Sequence, residues 1–283
     1  MILSLDIGGT EIKYATIDKK ILQQGKISTS LIDSKESFYT IIENICHQFE
    51  KIEGVALSMP GIIDSKKGLI ELVVVFPYLS KVNIKEELES RLHLPVSVEN
   101  DAKCAALCEA RIGGAKDMND AIVVVFGTGI GGSIIKDGKI HHGHHLLAGE
   151  ISTVIMREDG KDFSDLCSTK NICRQVAEAK GLEKINGIEI YQLIRQGDQT
   201  VIDIMNQAYH NIAVQLYNFQ YIYDPEIILI GGGISKEPLF IEGIQKAIDE
   251  MSEKQIIVPK IDTCKYYNDA NLYGAYHHYL DTH

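Results

Sequence analysis

Residues 1–18 read MILSLDIGGTEIKYATID, and residues 121–138 read AIVVVFGTGIGGSIIKDG. Each stretch is a short apolar strand, a glycine turn with a threonine in it, and a second strand. Glycine permits positive φ and occupies no side-chain space, so successive backbone N–H groups in such a turn can point at one oxyanion. Residues 127–132, GTGIGG, have the glycine spacing of the dinucleotide fingerprint, but that fingerprint sets a helix N-terminus against the pyrophosphate. Here a strand, SIIKDG, follows instead. A third turn, Gly231-Gly232-Gly233-Ile234, ends the strand EIILI. One such turn alone reads as a plain hairpin. Three together, with the carboxylate of Asp6 in the first and Thr10 and Thr128 in two of them, point to phosphate binding. The expected device is a unit used twice, its turns facing each other across a cleft and gripping one polyphosphate.

Asp6 ends a strand that should be buried, where an aspartate needs a partner. A Mg²⁺ held directly or through water, and bridging to phosphate, would supply one. Lys13 either adds charge near the phosphates or is an ordinary exposed strand lysine.

The 283 residues are enough for two domains with separate cores. Forty-five per cent hydrophobic and 24% charged residues describe a folded globular chain. Against 39 acidic residues stand 28 basic ones, a net charge of −11, and no basic run concentrates enough charge to hold nucleic acid. No stretch approaches the roughly 20 apolar residues of a membrane span. The opening lacks the basic segment of a secretory signal, so a cytoplasmic protein is expected. The six cysteines are scattered, which suits reduced thiols. Cys104 and Cys108 read as packing residues on one helix face.

Along the first half, strands are expected over 2–6 and 12–17, a third over ILQQGKIST, and a helix from Ser34 to Ile52, capped by Asp33 or Ser34. GVALSMPG reads as a buried strand, NIKEELESRLHL as a helix, PVSVEN as a strand, and DAKCAALCEARIGG as a helix stopped by Gly113 and Gly114. The second half repeats the logic: strands AIVVVF and GGSIIKDG, a loop HHGHHLLAGE, helices over roughly 168–180 and 199–223, the strand EIILI, the helix PLFIEGIQKAIDEM, a last strand QIIVPKI, and a closing helix NLYGAYHHYL.

DIGGT (6–10), SMPGIID (58–64), ENDA (99–102), GTGIGG (127–132), AGE (148–150) and IGGG (230–233), in this order over nearly the whole chain, resemble the ROK sugar kinases. The resemblance implies an α/β, actin-like ATPase (ribonuclease H-like) fold of two similar lobes with a central cleft: residues 1–117 and 118–270, with the closing helix 271–283 packed back on the first. It implies that Asp6, Gly8, Gly9, Thr10 and Lys13, with Gly127, Thr128, Gly129, Gly131 and Gly132, hold the ATP phosphates, and that Gly231, Gly232 and Gly233 lie near the adenosine. It further implies that Asp101 is the catalytic base, that Asn100, Asp101 and Glu150 contact the sugar, and that Pro60 and Gly61 shape its pocket. Chemistry supports Asp101 independently, because a sugar hydroxyl is a poor nucleophile and a positioned carboxylate can take its proton as the bond to the γ-phosphoryl forms. The plainer reading of Asn100 and Asp101 is a helix cap, and of Glu150 a solvated loop carboxylate.

Many members of that family carry a structural zinc on a histidine and three cysteines. Here Thr153 stands where the histidine would be, and only Cys167 and Cys173 are present, at the wrong spacing. Four ligands are needed, so no structural zinc is expected. His141, His142, His144 and His145 read as an exposed loop with incidental metal affinity. Arg174 and Gln175 follow Cys173 where zinc-bearing relatives place a sugar-touching glutamate. The pattern resembles a zinc-less branch with β-glucoside kinases and N-acetylmannosamine kinases.

The activity implied is ATP- and Mg²⁺-dependent phosphorylation of a hexose or hexose derivative at the 6-hydroxyl, with N-acetylmannosamine, a β-glucoside or glucose as substrate, by a homodimer. The alternatives are a sugar-sensing regulatory protein that keeps the kinase fold without DNA-binding domain or turnover, and a structural ATPase of the actin type. An acidic chain that opens directly on the first phosphate strand argues against DNA binding.

Overall fold

In the computed structural model, which describes residues 1–283, strands β1 (Ile2–Ile7), β2 (Glu11–Asp18) and β3 (Lys20–Ser28) form an antiparallel meander. Helix α1 (Lys35–Cys46) follows, capped at Ser34 by a reciprocal pair in which the Ser34 hydroxyl accepts from the Ser37 N–H and the Ser37 hydroxyl accepts from the Ser34 N–H. Next come β4 (Gly54–Met59), the short strands β5 (Ile62–Asp64), β6 (Leu69–Leu72) and β7 (Val82–Asn83), α2 (Ile84–Leu92), β8 (Val96–Asn100) and α3 (Asp101–Ile112). The main sheet has the order β3-β2-β1-β4-β8, with β4 parallel to both β1 and β8. β5, β6 and β7 make a separate small sheet.

The second half repeats this. β9 (Ala121–Phe126), β10 (Ile130–Lys136) and β11 (Lys139–Ile140) form the meander, followed by α4 (Phe163–Cys167), α5 (Thr169–Lys180), α6 (Gly187–Arg195), α7 (Gln199–Tyr223), β12 (Ile227–Gly231), α8 (Pro238–Met251), β13 (Ile261–Thr263) and α9 (Ala270–Thr282). Its sheet has the order β11-β10-β9-β12-β13, antiparallel between β11, β10 and β9 and parallel from β9 outward. Strand for strand this is the order and direction of the first sheet, so the duplication visible in the two glycine hairpins extends through both sheets.

The chain divides into two compact units, Met1–Ile112 with His142–Ala148 and Asn268–His283, and Gly113–His141 with Gly149–Tyr267. The first stretch of the first unit ends at Ile112, where α3 ends and Gly113 begins the turns leading to β9. Residues 142–148, expected in the second half, group with the first unit.

In the first unit β1 and β4 are covered on both faces. Leu3, Leu5 and Ile7, with Val55, Leu57 and Met59, share a core with Phe38, Ile42 and Ile45 of α1. Ile2, Ala15, Ile17 and Ala56 pack instead with Leu272, Ala275, Tyr276 and Tyr279 of α9. Each of the Leu, Ile, Val, Met and Phe side chains here, fully withdrawn from water, contributes about 1.5–3 kcal/mol. Helix α9 also runs tightly along α3: a Cβ on Gly274 would lie 1.9 Å from the carbonyl oxygen of Cys104. Only glycine fits that crossing. The second unit's core joins Ile122, Val124 and Phe126 to Phe163, Ile212, Leu216 and Phe240.

Two expectations are corrected. Helix α1 stops at Cys46 instead of Ile52, because residues 47–52 turn, with Lys51 at φ 63°, while Phe49 and Ile52 still reach the core. The last strand covers Ile261–Thr263 and not QIIVPKI: Pro259 has no N–H for a ladder, and Ile256, Ile257 and Val258 lie exposed. Helices α4 and α6 and the small sheet, all short elements, lie outside those expectations. No helix is long and apolar enough to cross a membrane.

Candidate active site

Alternation along β1 decides where Asp6 points. Leu3, Leu5 and Ile7 take the α1 face, so Asp6 lies with Ile2 and Ser4 on the α9 face. There its Oδ1 accepts a hydrogen bond from Asn271 Nδ2 at 2.9 Å and a longer one from Ser58 Oγ at 3.4 Å. Ser58 is Asp6's neighbour in the parallel β1–β4 register, and Lys13 lies opposite it on β2 with Nζ 4.0 Å from Oδ2. Burial pushes the Asp6 carboxyl above its usual range, against the pull of Asn271 and Lys13, and the negative charge of Asp101 adds to the rise. The hairpin turn beyond Asp6 is pinned from inside: Gly8 donates its N–H to Glu11 O at 3.0 Å, and Gly9 O accepts from Thr29 Oγ1 at 2.8 Å. Gly9 and Thr10 are left exposed.

β8 runs into α3 without a loop, which places Asn100 and Asp101 at a helix N-terminus. Asn100 caps the helix, its Oδ1 accepting from the Lys103 N–H at 3.0 Å. Its Nδ2 donates to the Gly61 carbonyl at 3.0 Å and to Asp101 Oδ1 at 3.1 Å. Asp101 Oδ1 also accepts from the Ala102 N–H at 2.8 Å. A carboxylate has about four acceptor positions, so Asp101 retains lone pairs for a substrate hydroxyl. Burial pushes the Asp101 carboxyl up, only partly opposed by its hydrogen bonds and by Lys103, and so raises its basicity. Asp6, Asn100, Asp101 and Gly61 therefore belong to one neighbourhood, with Pro60 preceding Gly61 at the end of β4.

In the second unit the turn 127–129 joins β9 to β10, whose first residues Ile130, Gly131 and Gly132 pair back on β9, and Gly127 O accepts the N–H of Thr169, the first residue of α5. The glycines of this unit divide by what they are for. A Cβ on Gly232, which has φ +93°, would sit 1.9 Å from Phe126 O, and one on Gly132 would sit 2.5 Å from the Ile151 side chain. These two serve packing, and Gly232 holds the 231–233 turn against the end of β9. A Cβ on Gly127 or Gly129 would meet nothing closer than 3.8 or 3.6 Å, and one on Gly233 nothing within 4 Å. Nothing in the protein's own packing requires glycine at 127, 129 and 233, so these positions leave open space beside the backbone.

Glu150 is half-buried and opens a short turn, its carbonyl accepting from Thr153 Oγ1 at 3.3 Å. Gly149 beside it packs on Ser133 of β10. Cys167 is buried in the core and Cys173 is half-buried. No group of three or more His, Cys, Asp or Glu side chains could hold a metal ion. Mg²⁺ needs only one or two carboxylates beside phosphate oxygens and water, so Asp6, a carboxylate whose burial disfavours its anion, fits it.

The histidine loop corrects an expectation. His144 and His145 are exposed, their rings edge-on at 4.6 Å. His142 turns inward and places Nε2 2.6 Å from Oε2 of the buried Glu99. Ser58, Asn271, Glu99 and His142 are the site neighbours that sequence reasoning missed. Ser58 and Glu99 open the SMPGIID and ENDA motifs and His142 stands in the histidine loop, but none had been given a role, and Asn271 carried no local signal.

A family model described as the ROK family matches residues 2–281. The chain belongs to the ROK family. A β-glucoside kinase of Listeria monocytogenes is 32% identical, covering 99% of this chain and 97% of its own length. A ROK family protein from Streptococcus pneumoniae, solved in complex with sucrose, has TM-score 0.91 at 35% identity, covering 99% of this chain and 98% of that one. A ROK glucokinase from Streptomyces griseus, solved with glucose and AMPPNP, has TM-score 0.81 at 25% identity over 97% of each chain. The repeated sheets are thus the actin-like ATPase architecture of ROK sugar kinases. In this ROK chain Thr153 Oγ1 donates to the Glu150 carbonyl, and Arg174 of α5 pairs with Glu178 at 2.8 Å.

Proposed function

We propose that this ROK chain transfers the γ-phosphoryl group of ATP to the 6-hydroxyl of a hexose or hexose derivative. The substrates to test are N-acetylmannosamine, β-glucosides and glucose. The observation that carries the reading is Asp101: a carboxyl raised by burial at the start of α3, oriented by Asn100 and the Ala102 N–H. Membership of the ROK family, with named sugar kinases aligned end to end, supports it.

As the sugar oxygen bonds to Pγ, the bond from Pγ to the β,γ-bridging oxygen breaks, ADP leaves with that electron pair, and Asp101 accepts the hydroxyl proton. Asn100 orients Asp101 and, with Glu150 and the Pro60–Gly61 turn, binds the sugar. Backbone N–H groups of 8–10 and 127–132 bind the phosphates, Lys13 adds positive charge, and Gly231 to Gly233 border the adenosine. Asp6 would hold Mg²⁺, directly or through water, and the ion would neutralise charge on the phosphates when bound. The same reading has the enzyme working as a homodimer, which sedimentation measures.

The test is ADP release with Mg-ATP against glucose, N-acetylmannosamine, N-acetylglucosamine, fructose, allose and cellobiose, beside Asp101→Asn. Release stimulated by one sugar and abolished by the substitution in a folded protein supports the proposal. Bound ATP with no stimulation by any sugar would favour a sugar sensor that keeps the fold.

A further inference from the structure

Glu99 is 1% exposed, and such a carboxylate is tolerated only with partners. Its two oxygens have separate duties. Oε1 accepts the backbone N–H of Asn100 at 2.8 Å, while Oε2 meets His142 Nε2 at 2.6 Å. Ser65 Oγ lies 3.3 Å from the same nitrogen. Burial alone would push the Glu99 carboxyl up, but His142, His278 and the Asn100 N–H together hold it below the usual range, so it is charged. His278 of α9 is the other histidine nearby. Burial pushes its imidazole down, and its Nε2 has no hydrogen-bond partner, so His142 is left to donate to Glu99.

The loop carrying His142 is built to present it. Ala148 N–H donates to His142 O at 3.1 Å, closing residues 142–148 on themselves, with Gly143 and Leu146 both at positive φ. Residues 139–141 and Gly149 belong to the second unit, whereas 142–148 belong to the first. The hydrogen bonds of His142 to Glu99 and Ser65 anchor the loop there.

We propose that His142 is a positioning residue for phosphoryl transfer: it holds Glu99, Glu99 holds the Asn100 peptide, and that peptide sets the direction of Asn100 and Asp101. This rests on Asp101 being the base. Misplacement of a reacting group by about 1 Å can cost on the order of 100-fold in rate, so the pair acts on turnover without touching substrate.

The experiment compares His142→Leu, His142→Gln, Glu99→Gln, the double variant His142→Leu/Glu99→Gln and Asp101→Asn, at a temperature where circular dichroism shows each folded. His142→Leu lowers kcat about 10- to 100-fold while the KM for Mg-ATP stays within about twofold. His142→Gln, which can donate from a similar place, recovers most of the loss. In the Glu99→Gln background His142→Leu costs much less than alone, because the two act in one chain of contacts. Deuterium uptake in the peptide spanning residues 96–102 rises in His142→Leu but not in Asp101→Asn. Turnover by His142→Leu within about twofold of wild type while Asp101→Asn is dead, or additive losses in the double variant, overturns the proposal. Turnover retained by Asp101→Asn, or no sugar accepted at all, sinks the kinase reading instead; uptake in the 96–102 peptide then decides whether His142 orders this segment, and unchanged uptake overturns the proposal.

Discussion

Asn271, in the last helix of the chain, donates Nδ2–H to Asp6 Oδ1 at 2.9 Å across 265 residues of sequence. The carboxylate that opens the first glycine turn is therefore held by the helix that closes the fold. Replacing Asn271 by Leu leaves a buried carboxylate short of a donor, at a cost of about 1–3 kcal/mol. Asn271→Asp, which sets a second carboxylate beside the first, should cost more at pH 7 than Asn271→Leu. Urea denaturation of both variants measures the order, and equal midpoints would show that Asp6 does not depend on this bond.

Asp101→Asn should abolish sugar-stimulated ADP release, a loss of about 100-fold or more for a removed general base. In wild type, kcat/KM for the sugar should fall as pH drops through the raised pKa of Asp101, placing the acid limb above 3.8, the ordinary aspartate value. A limb at or below that value would mean that burial does not tune the base.

Stability should move the other way. The folded-state pKa values of Asp6 and Asp101 are raised, so their contribution is present below the unfolded pKa and is lost as pH rises through the folded one. Asp101→Asn escapes that loss. The variant should match wild type near pH 3 and exceed it at pH 7. Glu99, held low, behaves oppositely: its contribution is present above the ordinary carboxylate range and lost as pH falls through its lowered pKa. Denaturant midpoints across pH 3–8 for wild type and Asp101→Asn give the comparison.

Gly233→Ala and Gly232→Ala separate binding from packing. At 233 a methyl meets nothing within 4 Å, so the fold should change by less than about 0.5 kcal/mol while Mg-ATP affinity falls. At 232 the φ of +93° and the 1.9 Å approach to Phe126 O should cost about 2 kcal/mol or more. Thermal melts with an ATP titration read both effects.

Of the six thiols only Cys173 is half-buried, and burial raises its pKa. A disulfide reagent should modify about one thiol per native chain, slowly, and all six after unfolding. Rapid reaction of Cys104 or Cys108 would contradict their packing between α3 and its neighbours.

Much was legible without coordinates because it is written in local chemistry. Continuous apolar runs place β9 and β12, apolar alternation places β1 and helical periodicity α7 and α8, and the ordered motifs DIGGT, ENDA and GTGIGG carry the family, since each is a short run whose meaning lies in neighbouring residues. The end of α1 and the strand expected at 255–261 were misread where a turn and Pro259 override apolar content. What only the tertiary structure decided are the pairings between distant segments: Asn271 on Asp6, Ser58 beside it, and His142 on Glu99. Strand register sets Ser58 beside Asp6, the packing of α9 on β1 brings Asn271 to it, and the 142–148 loop brings His142 to Glu99. None of these leaves a trace in a local window, because a hydrogen bond between residues far apart in sequence depends on where two backbones meet and not on what surrounds either residue along the chain.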